Sequence, residues 1–160
     1  MLRFIHILRQ THKPRDNLTP SSTPASMQIF ANAALQAFDL ETYTNKEVIA
    51  VDQDRLGAQG AVVWTNCAAF VKVSALDAVP ACQPIWARPL TGGAVAMNFL
   101  NFAATPANIT CDAACFRAAG LRRVAVRDVW LHKDLGVFSG AYTAAVDGDG
   151  ASVTLLMSPN

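Results

Sequence analysis

The sequence predicts an all-β fold, a sandwich or a barrel, on three observations. From Gly60 onward, short runs rich in Val, Ile, Ala and aromatic residues follow one another at the spacing of strands. Turn chemistry stands between them, most plainly Thr91-Gly92-Gly93 and Asp147-Gly148-Asp149-Gly150. In the stretch RVAVRDVWLHKDLGVFSGAYTAAV, Arg123 to Val146, no apolar stripe recurs at three and four residues, so a helix fits poorly there.

Taken in order, Met1 to Arg15 is basic, but its apolar residues are interrupted by Arg3, His6 and Arg9 and no small-residue cleavage site follows, so a signal peptide is not expected. Residues 1–27 form an unstructured lead-in, because Thr11 to Ser26 is rich in Pro, Ser and Thr. Ala-rich Gln28 to Phe38 favours a short helix. Thr44 or Asn45 can cap another through Lys46, Glu47 and Val48, with Glu47 well placed in its first turn. Asp52 to Gly60 reads as a loop. The candidate strands are Ala61–Asn66, Ala69–Ser74, Pro84–Leu90, Ala94–Phe102, Ala107–Cys111, Leu121–Leu131, Val137–Val146 and Ala151–Met157. Between them, Asp112 to Gly120 can form a helical turn closed by Gly120. Leu121–Leu131 and Val137–Val146 read as a hairpin whose first strand is covered on both faces, with Gly136 supplying a positive φ where the chain turns back.

Composition narrows the function classes. A net charge of +1 and the lack of a Lys/Arg stripe interleaved with aromatics leave no electrostatic argument for nucleic acid. No apolar run reaches the roughly 20 residues of a membrane-spanning helix. With 52% hydrophobic and only 16% charged residues the chain is not a disordered one, and exposed apolar surface is expected.

Residues with chemical potential mostly have plainer readings. Asp52 and Asp54 are two acids in a loop, better read as solvated or capping groups than as an acid/base pair. Cys111 and Cys115 have no second pair or nearby His to complete a zinc set, so no metal is expected. Cys67 and Cys82 either close the segment between them as a disulfide, worth roughly 3 kcal/mol, or stand as two free buried thiols. Asp147-Gly-Asp-Gly lacks the closing Glu of a calcium loop and reads as a turn. His132 reads as a solvated or packing residue, and Trp64, Trp86 and Trp130 as core residues rather than a sugar platform. Two glycosylation sequons occur, Asn17-Leu-Thr and Asn108-Ile-Thr, the second better placed because Pro20 follows the first directly.

Three stretches resemble one family. TNKEVIAVDQDRLGAQG (Thr44 to Gly60), IWARPLTGGAVAMNFLNFA (Ile85 to Ala103) and VAVRDVWLHKDLGVFSGAYTAAV (Val124 to Val146) fall in the order and approximate spacing seen in α-galactosidases of glycoside hydrolase family 27. Arg55 departs from the family's loop, where Pro is common, and Asn66 to Gln83 matches no family motif. The resemblance implies an antiparallel, Greek-key-like β-sandwich of about eight strands over 59–160, preceded over 28–58 by one or two short helices left over from the last helix and connecting loop of a (β/α)8 barrel.

It further implies a parent activity, retaining hydrolysis of terminal α-linked galactose by two Asp residues carried on the barrel. The Lys-Tyr-Asp type strand motif of the family's nucleophile and the motif of its acid/base Asp do not occur in this sequence. No catalytic residue is therefore carried over, no cofactor is expected, and the chain alone is expected not to hydrolyse α-galactosides; such a substrate would be met only by a barrel-containing parent. With the barrel-facing surface around Val48, Ile49 and Val51 open, self-association or a dimer is expected. The family implies a secreted, lysosomal or vacuolar setting, which an even cysteine count suits. The alternative expectation is a stand-alone, non-catalytic sandwich that binds carbohydrate or another subunit.

Overall fold

A computed structural model of the chain describes residues 40, 43–67 and 81–160. The elements run α1 (Lys46–Asp52), β1 (Ala61–Thr65), β2 (Pro84–Pro89), β3 (Val95–Asn101), β4 (Ala107–Cys111), α2 (Ala113–Ala118), β5 (Arg123–Asp128), β6 (Lys133–Ser139), β7 (Tyr142–Val146) and β8 (Ala151–Pro159). The expected lead-in, the helix at Gln28–Phe38 and the strand at Ala69–Ser74 lie outside the described residues.

The strands form a six-stranded antiparallel sheet, ordered β1-β2-β3-β8-β5-β6, and a two-stranded ribbon, β4-β7. Strand β8 returns to lie beside β5 while β7 steps to the other layer, a Greek-key-like path. Register decides what faces inward. Ile85 pairs with Phe99, Ala87 with Met97, Met97 with Leu155, and Val126 with Met157, so one parity of every central strand builds a single apolar face. The ribbon and α2 cover that face with Ile109, Cys111, Ala144, Val146, Cys115 and Phe116, all within one core cluster. Tyr142 joins the layers at the edge, its ring meeting Phe138 and Phe99 edge-on at centroid distances of 4.9 and 6.0 Å.

Both short helices start as their sequences dictate. The Asn45 carboxamide oxygen accepts from the N–H groups of Glu47 and Val48, and Asp112 Oδ1 accepts from those of Ala114 and Cys115. Gly120, at φ 73°, ends α2.

The hairpin differs from its expected form in four ways. Strand β5 stops at Asp128, because the Asp128 carboxylate accepts from the N–H groups of Trp130 and Leu131 and folds the chain into a turn. The positive φ at that turn belongs to His132, at 53°; Gly136 instead sits inside β6, next to a bulge in which Val126 pairs with Gly136 and Arg127 with Asp134. The return strand expected over 137–146 is two strands in different sheets, broken at Gly140 with φ 74°. Burial on β5 alternates as well: Val124, Val126 and Asp128 are buried, whereas Ala125 and Arg127 are half-buried, so the second face is only partly covered.

At one end of the sandwich a buried side chain ties two loops together. Asn101 donates from Nδ2 to the carbonyls of Thr105 and Asp147 at 2.9 and 3.1 Å, and its Oδ1 accepts from Ala103 N–H at 3.1 Å. The turn at residues 147–150 thereby lies so close to the β3–β4 loop that a Cβ on Gly148 would overlap the Ala104 carbonyl. Because that obstacle is backbone and cannot rotate away, Gly148→Ala is expected to destabilise the fold by about 1–3 kcal/mol, read as a lower urea midpoint at unchanged m-value.

Candidate functional site: the helix clamp and the loop ends

The outer face of the large sheet carries the main constellation of charged side chains. One row across the sheet reads Arg88, Ala96, Leu156, Arg127 and Asp134 through the pairings β2-β3-β8-β5-β6. Helix α1 lies over this row. Val51, only 3% exposed, packs with Leu90 and Ala96, and Ala94 and Leu156 support them. Expected to be open, Val51 is therefore covered by the sandwich itself, while Val48 and Ile49 are half-buried.

Polar contacts fix both ends of the helix. At its start Arg127 grips Glu47 with two parallel hydrogen bonds, Nε to Oε2 and Nη2 to Oε1, each 2.8 Å. The same guanidinium reaches Asp134 at 2.8 Å, and His132 Nδ1 stands 2.8 Å from Glu47 Oε1. Asn45 serves twice, since the amide that caps the helix also donates from Nδ2 to the Val129 carbonyl at 3.0 Å. At the far end Arg88 donates to the Asp52 carbonyl at 3.2 Å.

This arrangement moves the titrations. The Arg127 hydrogen bonds hold the Glu47 carboxyl at about 2, against the opposing effect of partial burial, and the His132 contact lowers it further. The hydrogen bonds that Arg127 donates to Glu47 and then to Asp134 push its guanidinium up, away from any deprotonation. Glu47 and Arg127 are thus held as a charged pair in one orientation, which makes the contact a lock.

The acids singled out in the sequence have separate structural tasks. Desolvation pushes the Asp54 carboxyl up, but hydrogen bonds from Thr91 and from the Leu56 N–H outweigh it and hold the group below its ordinary range. That carboxylate thus ties the loop after α1 to the β2–β3 turn. Asp52 contributes its carbonyl to Arg88 instead, so the two acids do not share a site. Trp64, Trp86 and Trp130 are each half-buried, Trp64 against the main core.

Cys67 and Cys82 are joined by a disulfide that closes the segment unmatched by any family motif. Cys111 and Cys115, read in the sequence only as an unsuitable zinc pair, form a second disulfide, linking the end of β4 to the first turn of α2. The missed signal was the capping Asp112: a helix starting there places the two sulfurs one turn apart. Asn108 lies exposed on β4 beside a surface cavity of about 340 Å³ that Ala145, Asp147, Ser152 and Val153 also line.

Sequence reasoning also missed the grip of Arg127 on Glu47, which lie 80 positions apart. The one available signal was indirect, because both fall in stretches that carry the family resemblance.

Residues 81–156 match a family described as "Alpha galactosidase C-terminal beta sandwich domain". Among curated relatives, Alpha-galactosidase 3 of Arabidopsis thaliana is 35% identical over 114 residues, covering 71% of this chain and 24% of that protein. The alpha-galactosidase of Cyamopsis tetragonoloba is 29% identical over 138 residues, covering 82% and 29%. Among solved structures, alpha-galactosidase I from Mortierella vinacea superposes with a TM-score of 0.58 at 26% identity, covering 74% of this chain and 28% of that one. A family 27 β-L-arabinopyranosidase from Geobacillus stearothermophilus shares the fold, with a TM-score of 0.61 at 17% identity over 82% of this chain and 25% of its own. The chain thus spans 24–29% of the length of these curated relatives.

The clamp has a defined pH signature. Glu47 is depressed in the folded state, so its contribution is complete above the unfolded value of 4.5 and disappears as pH falls through about 2. With the carboxylate about 28% exposed, solvent screening reduces that contribution to about 1–2 kcal/mol. Glu47→Gln is expected to unfold at lower denaturant than the parent at pH 7, and the gap should narrow between pH 4.5 and 2; a gap constant across that range would exclude the lock.

Proposed function

Residues 81–156 are the C-terminal β-sandwich domain of the α-galactosidase family, to which this chain belongs, and from that premise we propose that the chain is the non-catalytic sandwich that docks onto and steadies a (β/α)8 barrel. The observation that carries the reading is the clamp. Helix α1 precedes the matched domain, yet residues of that domain, Arg88, Arg127 and His132, hold it at both ends. A sandwich that grips the segment before it is built to transmit rigidity to whatever that segment belongs to. In the family resembled, that segment is the last helix of the barrel.

Further features support a neighbour on this side. Leu40 and Tyr43, just before α1, are 64% and 60% exposed, and Leu131, in the turn that the helix cap contacts, is 67% exposed. Trp130 Nε1 and Asp52 Oδ1, one near each end of the helix, are buried without a hydrogen-bond partner among the described residues. A barrel surface placed there would cover the apolar groups and supply the missing partners.

The family reaction needs two carboxylates about 5–5.5 Å apart across the sugar, and a barrel presents such groups at the C-terminal ends of its strands. Here Glu47, Asp54, Asp112 and Asp128 are engaged in locking a helix or capping a turn. Hydrolysis of terminal α-linked galactose is therefore assigned to the barrel, and the sandwich to its stability.

Two measurements test this. The purified chain is expected to release no p-nitrophenol from p-nitrophenyl α-galactoside above the blank; turnover that disappears on changing one of its own acids to the amide would overturn the assignment. By light scattering the chain alone is expected to self-associate, and Leu131→Lys to reduce that association. A strictly monomeric parent at high concentration would argue against an unfilled docking face.

A further inference from the structure

We propose that Asn108 carries an N-linked glycan that shields the solvent face of the β4–β7 ribbon. Asn108-Ile109-Thr110 is a complete sequon with no proline at its centre. Strand geometry sorts its members: Ile109 points into the core at 3% exposure, while Asn108 and Thr110 lie together on the exposed face. A sugar on Asn108 therefore projects into solvent without disturbing the core.

There is room for it. Asn108 pairs across the ribbon with Ala145, whose methyl group offers no obstruction, and it borders the open cavity of about 340 Å³ lined by Pro106, Asp147 and Val153. Thr110 is hydrogen-bonded to Thr143 at 2.8 Å in the fold. That contact is no obstacle, because the transferase reads the sequon on the extended chain before the ribbon pairs.

A second, independent observation concerns the compartment. All four cysteines are paired, Cys67 with Cys82 and Cys111 with Cys115, and none is free. Two disulfides in one small domain belong to an oxidising compartment, the setting in which sequons are modified.

The glycan also answers a structural need. A two-stranded ribbon exposes edges that invite pairing with another chain, and such edges are commonly guarded by charge or proline. The solvent face here presents Asn108, Thr110, Thr143 and Ala145, without one charged group. A bulky, hydrated sugar on Asn108 supplies the missing guard.

The test is secretion of the full chain behind a cleavable leader from a eukaryotic host, with intact mass measured before and after peptide N-glycosidase and the site mapped by peptide analysis. In-vitro translation into microsomes gives the same readout where export is poor. The expected result is a loss of mass on enzyme treatment with conversion of Asn108 to Asp. Asn108→Gln and Thr110→Val abolish both signals, and Thr110→Ser, which keeps the hydroxyl, preserves them. A wholly unmodified Asn108 peptide, or modification confined to Asn17, overturns the proposal. The glycosylated protein should further aggregate more slowly than the Asn108→Gln variant in light scattering; equal rates would overturn the shielding role.

Discussion

A six-stranded sheet with one apolar face is stable only when that face is covered, and here the described residues cover it with two strands and a short helix. This shortage explains much of the design. The ribbon β4–β7 contributes only Ile109, Cys111, Ala144, Val146 and the half-buried Ala107 and Tyr142 to the interface, so α2 must add Cys115 and Phe116. Helix α2 is too short to be stable alone. It is held by its Asp112 cap, by the Cys111–Cys115 disulfide and by burial of Phe116, which is 1% exposed. The apolar contacts provide the driving force, and the covalent link keeps the small cover in register.

The opposite face has a different solution. Its middle row has an apolar centre flanked by charge, with Ala96 and Leu156 between Arg88 and Arg127. Val51 meets the apolar centre and the two arginines take the helix ends. Apolar packing alone would allow a short helix to slide or rotate. The bidentate grip on Glu47 removes that freedom because the planar guanidinium fits a carboxylate in one orientation. Asn45 reinforces it by spending one side chain on two tasks, capping the helix and binding Val129.

How far this was legible in the sequence follows from the range of the interactions. Local chemistry was readable: Asn45 as one of two cap candidates, Gly120 as a helix end, the Asp147–Gly150 turn, and the strands from Pro84 to Cys111. The break at Gly140 was not, because Val137 to Val146 keeps a strand-like composition throughout and one flexible residue decides the change of sheet. The turn after Asp128 was misplaced for a related reason. Its carboxylate overrides the apolar run Val129–Leu131, which taken alone looks like more strand. Contacts between distant segments, such as Glu47 with Arg127, leave no local trace.

The residues that carry the resemblance turn out to share one physical role. Arg127, Asp128 and His132 look, in isolation, like the polar cluster of an active site. In the fold Asp128 shapes the turn that sets the position of His132 and exposes the Val129 carbonyl, and Arg127 and His132 then converge on Glu47. Each acts on the same helix, which itself begins in another of the resembling stretches. A motif of this kind identifies a family through how a helix is held against its sheet. It can persist where the chemistry is located elsewhere, since the constraint it satisfies is the geometry of a helix held against a sheet, and that constraint involves no substrate.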